Sequence, residues 1–320
     1  MKLSKKLNFF MSLILGGLVI TSCSDDDNFN TPPVDNNNIT AIAYKTENLS
    51  ILAQALTKTN LDGTLRAKGS YTVFAPTNTA FTTFLNANGF ANLDAVPTPV
   101  LKEILLNHVV SGALQSSSLT TGYVKTLAKG NASSTNTLSM FINTSSGVRL
   151  NGVASVTTAN VLATNGVIHV VDAVIGLPTI VTHATANPNF STLVETLTSA
   201  GQPDFVSILS GTGPFTVFAP TNTAFSNLNT ELAPGGIAGV SSSNLTKVLQ
   251  YHVVSPANVL SSTLTNNLSV TTILDQNFTV NLNPARITDV NARVSNITAV
   301  DVQCSNGVIH VLDKVLLPNF

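Results

Sequence analysis

"YTVFAPTNTAF" occupies Tyr71–Phe81 and "FTVFAPTNTAF" occupies Phe215–Phe225, so ten of eleven residues recur at a separation of 144. The apolar run Tyr71–Ala75 reads as a strand, and Pro76, which has no N–H to give a ladder, stops it. Thr77 or Asn78 can then cap a helix whose Phe81, Phe84 and Leu85 fall on one face. The stretch therefore encodes strand, corner and capped helix, with Phe81 turned into a core. A capped helix N-terminus can also seat an anion. The flanking Phe and Pro make a packing corner the better account.

The internal match extends outward from this corner. "NLSILAQAL" (Asn48–Leu56) pairs with "NFSTLVETL" (Asn189–Leu197) at a separation of 141. "NHVVS" (Asn107–Ser111) pairs with "YHVVS" (Tyr251–Ser255) at 144. "NGVIHVVDAVIGLP" (Asn165–Pro178) pairs with "NGVIHVLDKVLLP" (Asn306–Pro318) at 141, one residue being lost near the end. Order and spacing are kept, which predicts two whole domains, at 39–178 and 179–320. No flexible linker lies between them, so they are expected to pack against each other. In each copy Leu49, Leu52 and Leu56, or Phe190, Leu193 and Leu197, predict an early helix. Leu101, Ile104 and Leu105 predict another before "NHVVSG", and the last third alternates in β fashion. The fold class is α+β, a β-rich core with several helices over one end.

Composition narrows the function. Only 10% of the 320 residues are charged, the formal charge is −1, there is no Trp, and Ser, Thr and Asn supply the polarity. No basic cluster exists outside the N-terminus, so nucleic acid is excluded as a partner. Lys2, Lys5 and Lys6 precede an apolar run, Phe9–Ile20, that is too short to span a bilayer of about 30 Å. Ile20-Thr21-Ser22-Cys23 then resembles a bacterial lipobox. That resemblance implies a signal peptide over 1–22 and acylation of Cys23, giving a membrane partner through a lipid anchor. An ordinary secretory signal with an incidental cysteine is the competing reading. Without residues 1–22 the chain carries 12 basic and 16 acidic residues.

Residues 24–38, "SDDDNFNTPPVDNNN", have little to bury and read, with Cys23, as a disordered acidic tether. Fully stretched it would reach on the order of 50 Å. Its acidic run resembles the surface-export signal of some Gram-negative lipoproteins, which implies an outer-membrane, surface-exposed location. A merely soluble spacer is the alternative. Cys304 is the one other cysteine, so an internal disulfide is not expected, and it reads as a small buried hydrophobe.

Five histidines invite a catalytic or metal reading, but four are two positions seen twice, His108 with His252 and His169 with His310. His169/Asp172 and His310/Asp313 are three apart, so on a strand they face opposite ways and cannot close on one metal. Buried histidines hydrogen-bonded to backbone are expected instead. His183 replaces Ile42 in the repeat and has no counterpart. Zinc-protease, paired CxxC and GxSxG motifs are missing, and "GTGPF" at Gly211 lacks the lysine of a phosphate loop. No enzyme activity, cofactor or metal is expected.

"TVFAPTNTAF" and "NGVIHVxD", with "HVV" between, resemble the fasciclin (FAS1) domain, twice over and across nearly all of the chain after the tether. The resemblance implies a wedge-shaped α+β domain with a β-sandwich core and packed helices, associated with cell adhesion and binding of matrix components or glycans. It also implies a contact surface. In adhesive members an Asp-Ile pair before the "NGV" block and a Tyr-His pair before the "VV" strand are implicated in receptor binding. The second domain has Tyr251-His252 and Asp301-Val302 there, whereas the first has Asn107-His108 and Asn160-Val161. The expectation is a non-enzymatic anchored lipoprotein that binds an extracellular protein or glycan through the second domain. A self-associating structural envelope protein is the alternative.

Overall fold

The computed structural model describes residues 36–320. The signal-like segment, Cys23 and the tether up to residue 35 lie outside the described residues. Asn36–Asn38, read above as the end of the tether, belong to the fold. Asn38 is buried and caps the first helix by accepting from the Ala41 N–H, and the Asn37 carbonyl accepts from Thr164. A run of three Asn looks like a spacer by composition, yet Asn is among the best N-cap residues.

The first domain opens with α1 (Ile39–Lys45), α2 (Ser50–Lys58) and α3 (Asp62–Arg66), then β1 (Tyr71–Pro76), α4 (Asn78–Ala87) and α5 (Thr98–Asn107). Strands follow: β2 (Val109–Ser111), β3 (Gly122–Gly130), β4 (Ser133–Asn143), β5 (Arg149–Leu150), β6 (Ala154–Ala163) and β7 (Gly166–Val171). The second domain repeats the order with α6 (Ile180–Ala186), α7 (Ser191–Leu197), α8 (Phe205–Ser210), β8 (Phe215–Pro220), α9 (Asn222–Glu231) and α10 (Ser242–Tyr251). It ends with β9 (Val253–Val254), β10 (Leu268–Thr271), β11 (Asn277–Asn281), β12 (Arg286–Thr288), β13 (Val294–Cys304) and β14 (Gly307–Leu312). The mixed α+β class follows from the sequence pattern. Helices α1 and α3, and their counterparts α6 and α8, do not, because they are too short to show a helical period.

Each sheet is organised on a parallel pair that joins the start of the domain to its end. β1 runs beside β7 from Tyr71↔Gly166 to Pro76↔Val171, and β8 beside β14 from Phe215↔Gly307 to Pro220↔Leu312. The other pairs are antiparallel. In the first domain β1 to β7 close into a barrel, while the second keeps the order β10-β11-β12-β13-β14-β8-β9. There the Ile273 N–H donates to the Val253 carbonyl at 2.8 Å and bridges the two ends.

Neighbouring residues on the central strand serve different cores, because side chains alternate across a strand. Val73 packs with Leu52, Leu56, Phe81 and Leu105 under the helices, and Phe74 packs with Met140, Ile142 and Val171 inside the barrel. Val217 and Phe218 divide in the same way in the second domain.

The capping residues of the repeated corner are tied into the fold. The Thr77 N–H continues the ladder to the Val171 carbonyl while its hydroxyl accepts from Ala80, capping α4. Asn78 accepts from the Ile51 N–H at 2.9 Å and donates to Glu47 and Ser50, tying the starts of α4 and α2 together. Thr221 and Asn222 make the matching contacts with Ala224, Thr192, Pro188 and Ser191.

The "NG" turn is a second brace. Asn306 is buried; it accepts from the Ile180 N–H at 3.0 Å and donates to the Leu209 and Gly211 carbonyls at 2.8 Å. One side chain thus holds the start of α6 and the end of α8 against the turn between β13 and β14. Asn165 does the same for Ile39, Leu65 and Ala67. Glycine must follow, since a Cβ on Gly307 would stand 2.1 Å from the Phe215 carbonyl oxygen. Replacing Asn306 by Ala strands three backbone groups and is expected to cost the second domain about 2–4 kcal/mol. Urea unfolding of Asn306→Ala beside Asn165→Ala measures this, and a loss under 1 kcal/mol in both would refute the brace.

Candidate functional site

The residues marked in the sequence as a contact surface fall into two places. Tyr251 and His252 end α10, where the helix meets the last segment of the chain. Tyr251 is fully buried among Phe278 and its neighbours; its hydroxyl donates to the Asn277 carbonyl at 2.7 Å and accepts from Val290 at 3.3 Å. Burial pushes its pKa up to about 12. His252 donates from Nδ1 to the Val248 carbonyl at 2.7 Å and accepts at Nε2 from the Leu316 N–H at 3.0 Å. His108 makes the same pair of bonds to Ile104 and Ile175. Both histidines staple a helix end to the closing segment of their domain. Tyr251 and His252 present no polar atom to a ligand.

Asp301 and Val302 lie on β13, where the register with β14 shifts between Ala299 and Val302. Asp301 takes φ +58° there and Asn160 takes +62° at the matching shift on β6, a conformation that Asn and Asp tolerate best after Gly. The Asp301 carboxylate accepts from the Ser261 N–H at 2.8 Å and from the Ser261 hydroxyl in a short contact. Asn160 likewise accepts from the Ser116 N–H at 2.8 Å, but its amide N–H donates to the Ser116 hydroxyl, also at 2.8 Å. Val302 is buried. Of the four residues, Asp301 alone is partly exposed.

His169 and His310 sit beneath these bulges. Each donates from Nε2 to a backbone carbonyl at 2.8 Å, Leu114 or Val259, and stacks on Phe74 or Phe218. His169 Nδ1 accepts from the Asn160 N–H at 3.3 Å, whereas His310 Nδ1 has no partner. Among the described residues no group of three His, Cys, Asp or Glu could hold a metal ion.

The two domains pack against each other, as the missing linker implied, through a junction centred on the β3–β4 hairpin, whose residues the sequence reading did not single out. Lys125 donates to the Asp301 carbonyl at 2.7 Å and to the Ser139 hydroxyl at 3.1 Å, and that hydroxyl accepts from the Gln303 N–H at 3.0 Å. Burial lowers the Lys125 pKa, and the Asp301 charge opposes this. The Tyr123 hydroxyl accepts from Asn187 at 3.1 Å, and its ring meets the edge of His183. At the hairpin end Ala132 donates to the Ser305 carbonyl, and a Cβ on Gly130 would stand 2.4 Å from Ser305 Cα. His183 is buried with neither ring nitrogen in a hydrogen bond; burial pushes its pKa down to about 3, partly offset by the nearby Ser139 backbone. Cys304 is buried in the adjoining core. The clue available in the sequence was the mismatch between copies, His183 for Ile42 and Gln303 for Leu162.

The family model described as Fasciclin domain matches residues 47–178 and 188–318. The chain belongs to the fasciclin domain family. Protein sll1483 of Synechocystis is 37% identical over 140 residues, covering 44% of this chain and 73% of that protein. Human periostin is 29% identical over 266 residues, 80% of this chain but 29% of periostin's length. A solved FAS1 domain pair from the insect cell adhesion molecule fasciclin I superposes with a TM-score of 0.52 at 20% identity. It covers 84% of this chain and 97% of that one, which shows the paired fasciclin fold.

The buried histidines make this pair of fasciclin domains sensitive to acid. In His108 and His252 burial pushes the pKa from 6.5 down to about 4, against the pull of the carbonyl each one donates to. The unfolded chain therefore takes up protons first. Stability is full above pH 6.5 and falls as pH drops from 6.5 toward 4. The slope is about 1.4 kcal/mol per pH unit for each histidine. Urea midpoints at successive pH values test this, and a flat profile across that window would contradict it. At neutral pH a chelator is expected to leave the midpoint unchanged.

Proposed function

We propose that this chain is a non-enzymatic, lipid-anchored surface protein whose two fasciclin domains mediate adhesion by binding an extracellular protein or glycan. The observation that carries the reading is the paired fasciclin fold over nearly the whole described chain, matched by a domain pair from the insect cell adhesion molecule fasciclin I. The signature polar residues support it in a second way. Their atoms are committed to braces and caps, which leaves them unavailable for group-transfer chemistry. Acylation of Cys23 supplies the anchor, at about 0.8 kcal/mol per buried CH₂ and with more than one chain for a stable hold.

In this reading Asp301 is the contact residue on the second domain. Asn would preserve the Ser261 clamp, as Asn160 preserves the one to Ser116. The charge can therefore be removed without removing the bulge. Asp301→Asn is expected to leave the melting midpoint nearly unchanged and to weaken binding about tenfold, or roughly 1.4 kcal/mol. Binding screens against matrix proteins and glycans supply the ligand for that comparison. Full binding by Asp301→Asn would remove this residue from the site.

Cys23→Ser is expected to move the protein from the membrane fraction to the soluble fraction, and unchanged fractionation would defeat the anchor. Loss of surface adhesion in a deletion strain tests the adhesive role itself. Concentration-dependent association without ligand, in a protein that binds nothing in the screen, would favour a self-associating envelope component instead.

A further inference from the structure

The helical layers of the two domains differ in one respect that the shared fold does not require. In the first domain, α1, α2 and α3 close tightly, and a void of only about 10 Å³ remains beneath them. In the second, α6, α7 and α8 enclose a cavity of about 50 Å³ at the matching place. By this measure a single water needs about 10–15 Å³, so the second cavity has room for a run of several methylene groups.

Two sequence differences open it. The α2–α3 connection is residues 59–61, whereas the α7–α8 connection is residues 198–204. The Thr40 hydroxyl donates to the Asp62 carbonyl at 2.9 Å and clasps α1 to α3; its counterpart Val181 has no hydroxyl with which to do so.

The seam is open to solvent and has become more apolar. Thr40, Ala43, Ala53 and Leu56 are buried in the first domain, and their counterparts Val181, Ala184, Val194 and Leu197 are half-exposed. Val206, at the position of Asp62, is 38% exposed. Solvent access normally favours polar replacements, yet here Thr, Ala and Asp give way to Val. No charged side chain lines the cavity. Its polar members are already engaged, Thr185 with the Val181 carbonyl and His252 with Val248 and Leu316. An uncharged cavity with an apolar lining and an apolar mouth suits a slender aliphatic chain and offers nothing to a charged or polyhydroxylated ligand.

We propose that the α6–α7–α8 cavity of the second domain is a binding site for the aliphatic tail of a neutral single-chain amphiphile. The site is separate from Asp301 and does not depend on adhesion.

Methyl-resolved NMR of the full chain, titrated with n-alkanols from butanol to octanol, tests it. The expected result is saturable shifts at the methyls of Val181, Val194, Val206 and Leu209. Affinity should rise with chain length, and Leu52 and Leu65 in the first domain should stay unmoved. Ala184→Leu, which fills the cavity, should weaken octanol binding at least tenfold. Val194→Phe fills the same space from another helix and should do likewise, so the test stands if one variant misfolds. Non-saturating shifts, equal shifts in both domains, or unchanged binding in a folded filled variant would overturn the proposal.

Discussion

The architecture hangs on one buried amide per domain. Asn165 and Asn306 each sit at the turn that starts the last strand, and each answers three backbone groups from the far side of the helical layer. Those groups belong to helix ends, where a short helix leaves its N–H and C=O groups without partners inside itself. α1, α3, α6 and α8 are only five to seven residues long, too short to persist alone. They hold their place because a side chain from the sheet satisfies their ends. The glycine that follows lets the turn approach the first strand within a distance no Cβ allows. Without the amide and the glycine, the parallel pair and the helical layer would lose their common anchor.

The histidines extend the same logic to the other helix ends. A neutral imidazole both donates and accepts, so His108 and His252 each join a helical carbonyl to an N–H of the closing segment. Substituting the preceding residue leaves this untouched. Asn107 in the first domain bonds the Gly176 carbonyl of the closing segment, whereas Tyr251 in the second reaches the Asn277 carbonyl on β11, so the two side chains make different contacts beside the same histidine.

The parts legible in the sequence were those carried by local pattern. The strand–corner–helix of Tyr71–Phe81, the helix over Leu101–Leu105 and the backbone-bonded histidines all rest on spacings of a few residues. Asn36–Asn38 misled because their composition resembles a tether while the buried cap is a tertiary fact. That the domains pack together was legible from the missing linker, but barrel closure and the residues of the junction were not, because their contacts are remote: Lys125 meets Asp301 across 176 residues, and Ser139 meets Gln303 across 164. The Tyr251-His252 pair shows the limit of carrying a motif by position. The motif is present, but its side chains face inward.

This has a consequence for where function can reside on such a scaffold. A residue that answers buried backbone groups cannot be exchanged for a ligand contact without leaving those groups stranded, at about 1–3 kcal/mol each. The signature blocks of this chain combine such polar residues with buried apolar ones such as Val73, Phe74 and Phe81, so they specify the fold and say little of the ligand. The freedom lies where the two copies differ while the braces stay intact. Three places meet that condition. Asp301 brings a charge where Asn160 has none, on a matching bulge where each side chain accepts from a serine N–H. The β3–β4 hairpin carries Tyr123 and Lys125, and the opposing face carries His183 and Gln303, where the repeat offers no equivalents. The seam of α6, α7 and α8 has exchanged a hydroxyl clasp for exposed valines. The hairpin holds the pair together and is used up by that contact. Asp301 and the open seam are left as surfaces of the second domain that the fold itself does not demand.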